Sequence, residues 1–256
     1  MLKEILINAT EAGAAVLKHY FANKNLRISN KEGVNNLVTE ADHAAEKAII
    51  ETIREQFPDH FILSEEMGEI RSESEYKWII DPIDGTVNYA HGIPLCCVSI
   101  GLEHKGKMIL GAVYNPLLNE FYIAERGKGA TLNGDLIRVS TKEKVMDACL
   151  VTGFPYTYLD NPNGPLQVFD RFIRKGVPVR RLGSAAMDLC WVAAGRFDGF
   201  YEHKLQAWDS AAGFLMVEEA GGRVTDLTGT YYSPYQPGIV ATNGLIHEEI
   251  LQWINP

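Results

Sequence analysis

The residues with the clearest chemical potential lie in WIIDPIDGTVNYAHGIP, Trp78–Pro94. Ile79 and Ile80 read as the end of an apolar strand, with Asp81 where that strand emerges. Pro82 fixes its own φ and donates no hydrogen bond, so an immediate turn is expected there. Asp84 follows three residues after Asp81, and Gly85 permits a positive φ or the close approach of a ligand. Such a turn can aim two carboxylates and an intervening carbonyl at one point. That is an all-oxygen set, suited to a hard cation such as Mg²⁺ rather than to zinc. The same spacing also serves a plain turn in which Asp81 and Asp84 merely cap backbone amides.

Further acids stand at comparable places. Glu65 and Glu66 follow the strand-like HFILS, where an acidic pair is ordinarily just solvated. Asp209 opens the helical pattern of AWDSAAGFLMVEEAGG, where it would serve equally well as an N-cap. Glu65, Asp81, Asp84 and Asp209 all fall at element edges after apolar runs. Converging without cations, the four would repel one another and raise their own pKa values; bound metal resolves that conflict.

The elements that must position these residues are legible in the spacing. Residues 2–22 carry an amphipathic helical pattern, and Thr39–Phe57 carries a second that Pro58 terminates. Strand-like runs follow: HFILS, KWIID, LCCVSIGLEH, MILGAVYN and EFYIAER. His104-Lys105-Gly106 and Asn133-Gly134 read as hairpin turns. More strands are expected around Ala148–Thr152, Phe197–Tyr201 and Ile239–Thr242, with helices near Leu166–Lys175, Ser184–Ala194 and Asp209–Ala220. Helices mixed with antiparallel strands predict an α+β fold rather than a doubly wound parallel sheet. Residues 1–256 are expected to form a single fold, with Tyr158–Pro165 as the best candidate for an internal boundary.

Composition narrows the function classes. Among 256 residues, 24 Lys and Arg face 33 Asp and Glu, a formal net charge of −9. That balance argues against coating nucleic acid, which needs a clustered basic face. No long uncharged run suggests a membrane span. Cys96 and Cys97 are adjacent, Cys149 and Cys190 isolated, and none forms a C-x-x-C pair, so the thiols read as small core residues. With charged residues inside the N-terminal apolar pattern, the expected location is the cytoplasm. Two look-alikes fail: two residues, not one, separate the aspartates of DPIDG, unlike the haloacid dehalogenase motif, and DPIDGTVNYAHG lacks the alternating acids of an EF-hand.

Taken together, the chain resembles the inositol monophosphatase family of magnesium-dependent, lithium-sensitive phosphatases. WIIDPIDGTVNYAHGIP resembles its first signature and AWDSAAGFLMVEEAGGRVTD its second. LVTEAD (Leu37–Asp42), SEE (Ser64–Glu66) and RRLGSAAMDLC (Arg180–Cys190) match in order and at family-like spacing. The resemblance implies a layered α-β-α-β-α sandwich, a homodimer, and two or three Mg²⁺ ions. It places Glu65, Asp81 and the carbonyl of Ile83 on a first ion, and Asp81, Asp84 and Asp209 on a second. A weaker third ion would involve Glu65, with Glu66 as a possible accessory. Thr86 and Asp42 resemble the catalytic pair that orients the attacking water. The Gly85 and Thr86 amides would meet phosphate oxygens, Glu202 and Ala185 the ring hydroxyls, with Gly183 and Ser184 beside them. Lys31 falls where the family often has a basic residue. Asn36 departs from the Asp found in many members and removes a charge near the third ion.

The chemistry that follows is hydrolysis of a small sugar or polyol phosphate monoester by direct attack of water, with inositol 1-phosphate the leading substrate. Fructose 1,6-bisphosphate, histidinol phosphate and 3′-phosphoadenosine 5′-phosphate are the alternatives that share these signatures. A different class is a non-catalytic binding protein on the same scaffold, contacting transcription machinery as some relatives do. Two Mg²⁺ ions would cut the formal charge from −9 to −5 and reverse the local field toward an anionic ester.

Overall fold

A computed structural model describes residues 1–21, 28–30, 37–155 and 164–255. Lys31, Asn36 and residues 158–163 of the candidate boundary lie outside the described residues.

The chain opens with helices α1 (Leu2–Phe21) and α2 (Glu40–Gln56), separated by the short antiparallel pair β1 (Ile28–Asn30) and β2 (Leu37–Thr39). Thr39 caps α2: its hydroxyl accepts from the Ala41 amide, while Asp42, three positions into the helix, accepts from the Thr39 amide. This reciprocal cap starts the helix where the apolar periodicity begins.

The next strands are β3 (Phe61–Ser64), β4 (Gly68–Ile70) and β5 (Tyr76–Asp84), then a single helical turn and a half, α3 (Thr86–Ala90). They are followed by β6 (Cys97–His104), β7 (Lys107–Asn115), β8 (Glu120–Glu125), β9 (Gly129–Leu132) and β10 (Asp135–Leu136). These form an eight-stranded sheet in the order β10-β9-β8-β7-β6-β5-β3-β4. Lys105-Gly106 and Asn133-Gly134 are left-handed pairs, the two-residue hairpin turns expected from their sequence. The segment after Glu66 contributes β4 along the sheet edge, with Glu69 and Arg71 exposed.

The second half comprises β11 (Leu150–Thr152), α4 (Pro165–Arg174), β12 (Val179–Arg180), α5 (Ala185–Ala193) and β13 (Gly199–Glu202). It ends with α6 (Ala207–Glu219), β14 (Arg223–Thr225), β15 (Ile239–Thr242) and α7 (His247–Ile254). Its strands make a five-stranded sheet, β12-β11-β13-β15-β14. Both sheets are mixed: β3 runs parallel to β5, and β11 runs parallel to both its neighbours.

Hydrophobic burial fixes the layers. Ile5, Leu6, Leu17, Ile49 and Ile53 of the first two helices pack on Trp78, Ile80, Val98 and Ile100 of the large sheet. The opposite face of that sheet, through Ile79, Cys97 and Val113, packs on α5 and α6. Phe200, Ile239 and Ala241 of the small sheet close over the same two helices. Val168, Phe172, Ile250 and Leu251 of α4 and α7 cover the other side. The result is the α-β-α-β-α sandwich. In α5, eight of nine residues are buried, and such all-round burial suits a helix held between two sheets. Cys96, Cys97 and Cys190 are buried and all four thiols are unpaired. Among the described residues no helix is long and apolar enough to cross a membrane.

Candidate active site

The turn expected at Pro82 lies elsewhere. β5 stays paired with β6 through Asp84, but Asp81 faces Ser99 while Asp84 faces Cys97, so three steps on β5 answer two on β6. In a regular strand, residues three apart point to opposite faces. The extra residue of this bulge returns Asp81 and Asp84 to one side. Pro82, with no amide to pair, fits at a bulge. The chain then turns at Gly85, whose φ is 90°, and Thr86 begins α3.

Other elements bring their ends to the same place. β3 lies parallel beside β5 and hands over to Glu65, whose amide donates to the Ile80 carbonyl at 3.2 Å. α5 presents Ser184 and Ala185 at its start, β13 presents Glu202 at its end, and α6 presents Asp209 in its first turn. Asp209 is not the N-cap: α6 starts two residues earlier than its apolar pattern suggests. Gln206 is the cap, and its amide donates to Asp209 Oδ2 at 2.7 Å.

These ends surround a cavity of about 310 Å³, at the small end of the range for small-molecule sites. Glu65, Asp81, Ile83, Asp84, Gly85, Thr86, Gly183, Ser184, Ala185, Glu202 and Asp209 all line it. Asp42 stands behind the wall, with its Oδ1 3.1 Å from Thr86 Oγ1. Glu66 is not among the lining residues; its amide donates to Glu46. Asp188, Arg181 and Lys204 also line the cavity, and sequence reasoning missed them. Asp188 had a signal, being the one acid inside the apolar run SAAMDLCWVAAG.

Asp81 and Asp84 are anchored by hydrogen bonds. Asp81 Oδ1 accepts from the Ile83 amide at 3.0 Å. Asp84 Oδ2 accepts from the Ser184 hydroxyl at 2.6 Å and the Ala186 amide at 2.7 Å. Desolvation raises the pKa of Asp81 well above the usual carboxylate range, and the Glu65, Asp84 and Asp209 carboxylates push it further. Asp84 is pushed up to about 6 by burial, against the pull of the Ser184 and Ala186 hydrogen bonds. Desolvation, then Asp84, raises Asp209 likewise. At the other wall, burial and then Asp84 push Glu202 up to about 8, with Arg181 opposing.

Among the described residues, no three His, Cys, Asp or Glu side chains are already gathered as a closed metal cage. The donor set still fits hard cations: Glu65, Asp81, Asp84 and Asp209 line the cavity with carboxylate oxygens, and their mutual repulsion is what a divalent ion relieves. Asp42 is pushed up by burial, against hydrogen bonds from Thr39 and Thr86. Thr86 Oγ1 also lies 2.9 Å from the Ile83 carbonyl. Asn88 ties the near and far walls together, its amide donating to the carbonyls of Leu95 and Leu182, both at 2.8 Å.

Comparison with known proteins places this geometry. The model of the inositol monophosphatase family matches residues 2–255. A protein named Nus factor SuhB from Pasteurella multocida is 41% identical over 100% of this chain and 96% of its own length. Its namesake from Haemophilus influenzae is 40% identical, with the same coverage. Among solved structures, the extragenic suppressor protein suhB of Bartonella henselae matches with a TM-score of 0.92 at 39% identity, covering 99% of this chain and 98% of that one. An inositol monophosphatase from Anabaena matches at 0.88 and 39% identity, covering 99% and 96%.

Proposed function

The chain belongs to the inositol monophosphatase family, and from that premise we propose that it is a Mg²⁺-dependent phosphatase of a small polyol phosphate monoester, with inositol 1-phosphate as the leading substrate. The observation that carries the reading is the meeting of Glu65, Asp81, Asp84 and Asp209 in one cavity beside the Thr86–Asp42 pair. Glu65, Asp81 and the Ile83 carbonyl would hold one ion, and Asp81, Asp84 and Asp209 another. Bound there, the ions supply an acidified water and positive charge for the phosphoryl oxygens.

The remaining work falls to the chain. Asp42 fixes the Thr86 hydroxyl, which orients the attacking water for in-line displacement at phosphorus. The P–O bond to water forms as the P–O bond to the polyol breaks. The Gly85 and Thr86 amides, at the start of α3, face the phosphate oxygens. Gly183, Ser184, Ala185 and Glu202 bound the space for the leaving polyol. Within this reading the chain works as a homodimer in the cytoplasm.

The test is phosphate release from inositol 1-phosphate, fructose 1,6-bisphosphate, histidinol phosphate and 3′-phosphoadenosine 5′-phosphate, with Mg²⁺ and with EDTA. Hydrolysis of the inositol ester that EDTA abolishes is the expected result. Preference for another ester corrects the substrate while leaving the chemistry.

A second reading rests on the name Nus factor carried by relatives at 40–41% identity: a binding protein built on the same scaffold. Absence of hydrolysis of every ester above, with Mg²⁺ present, would favour it.

A further inference from the structure

Asp188 is the only charged residue of α5, whose sequence is AAMDLCWVA. It is 1% exposed, yet it lines the same cavity as Glu202. Its Oδ1 is buried without a hydrogen-bond partner. Desolvation raises its pKa, Glu202 and then Asp84 raise it further, and Arg181 opposes them. Nothing about the packing of α5 asks for an acid: the neighbouring Met187 and Leu189 belong to the apolar cluster between the sheets. A buried acceptor left without a donor is destabilising, so the helix would be better served there by an apolar side chain. A donor on a molecule entering the cavity would satisfy this acceptor.

Glu202 stands beside it on the neighbouring strand. Its carboxylate is seated against Gly153, where any Cβ would overlap it. Two buried acceptors therefore border the part of the cavity left for the leaving group, and Ser184 is already committed to Asp84. We infer that Asp188 is a specificity-determining residue whose Oδ1 accepts a hydrogen bond from a substrate hydroxyl adjacent to the one that Glu202 accepts, so that the pair recognises a vicinal diol. This rests on the phosphatase reading above. A site built to pair a substrate hydroxyl rejects the analogue that lacks it far more strongly than an apolar pocket rejects an extra group.

The test compares Asp188→Ala and Asp188→Asn with the unaltered protein on inositol 1-phosphate and on cyclohexyl phosphate, the same ring without hydroxyls. Asp188→Ala should lower kcat/KM for the inositol ester by about tenfold or more, chiefly through KM, and leave cyclohexyl phosphate nearly unchanged. Asp188→Asn, which keeps an acceptor oxygen, should recover part of that loss. The thermal midpoint of Asp188→Ala should stay level or rise, since a buried unpaired acid has been removed. Equal losses on both esters, no loss on either, or a lowered midpoint would make Asp188 structural and overturn the inference. Should the unaltered protein hydrolyse neither ester, calorimetric binding of inositol 1-phosphate with Ca²⁺ in place of Mg²⁺ separates the two ideas. Binding that weakens in Asp188→Ala upholds the role of Asp188 while the phosphatase reading falls; binding indifferent to Asp188 overturns both.

Discussion

Asp42 and Thr86 are 44 residues apart in sequence, and Asp42 Oδ1 lies 3.1 Å from Thr86 Oγ1. The other carboxylate oxygen of Asp42 accepts from the Thr39 amide at 2.8 Å and the Thr39 hydroxyl at 2.5 Å. One side chain thus closes the N-terminal cap of α2 and fixes the candidate water-orienting hydroxyl. The cap immobilises the carboxylate before any substrate arrives.

Two substitutions separate these duties. Thr86→Ala removes the hydroxyl and leaves the cap intact, so kcat should fall by about a hundredfold, the scale of a lost catalytic contact, while the thermal midpoint and the Mg²⁺ requirement hold. Asp42→Ala should lose a similar factor in kcat and also about 1 kcal/mol of stability with the cap. Steady-state kinetics and thermal melts on both variants provide the check. A large loss of Mg²⁺ affinity in Thr86→Ala would make that residue structural instead.

Asp81 is the acid whose charge every other one opposes: Glu65, Asp84 and Asp209 each raise its pKa. Asp81→Asn should therefore lower activity by about a hundredfold or more, and the metal-free protein should gain stability because a buried repulsion is relieved. Near-normal turnover at saturating Mg²⁺ would remove Asp81 from the metal site.

How much of this could be read from the residues depends on range. The apolar periods gave α1, α2 and the strands β3, β5, β6, β7 and β8, because burial stripes are local patterns. DPIDG marked two acids that line the cavity, but not their geometry. The bulge at Asp81–Asp84 depends on pairing with Ser99 and Cys97, and no local spacing announces a partner strand. The start of α6 was misplaced for a similar reason: Gln206 is an uncommon cap residue, and its role depends on the hydrogen bond its amide donates to Asp209. Asp188 was visible as an acid in an apolar run, but only the folded cavity shows that its oxygen lacks a donor.

Glu46 supplies a third test. It is 1% exposed, and its Oε1 accepts from the Ser64 hydroxyl and from the amides of Glu66 and Met67, each at 3.1 Å. These donors bracket Glu65, so Glu46 sets where that carboxylate stands. Glu46→Ala should raise the Mg²⁺ concentration for half-maximal activity by about 10- to 100-fold, the usual effect of removing a residue that supports a ligand. Glu46→Gln, which retains an acceptor oxygen, should recover much of it. A loss confined to kcat, with the Mg²⁺ dependence unmoved, would refute the positioning role.

His247 makes the pH dependence of stability testable away from the cavity. It is fully buried, with Nε2 2.9 Å from Thr225 Oγ1 and Nδ1 2.9 Å from Thr242 Oγ1. Desolvation, then the Arg223 charge, pushes its pKa down to about 4, below the value of about 6.5 for an unfolded histidine. Between those values the unfolded chain carries a proton that the folded chain does not. The contribution of the neutral ring is therefore complete above about pH 6.5 and is lost as pH falls through about 4, with a slope of at most about 1.4 kcal/mol per pH unit. His247→Gln keeps hydrogen-bonding capacity without the titration. Denaturant unfolding of both proteins from pH 7 to 4 should show the stability difference narrowing or reversing as pH falls, because only the unaltered chain loses this contribution. A difference that stays constant across the range would mean that His247 titrates as it does in the unfolded chain.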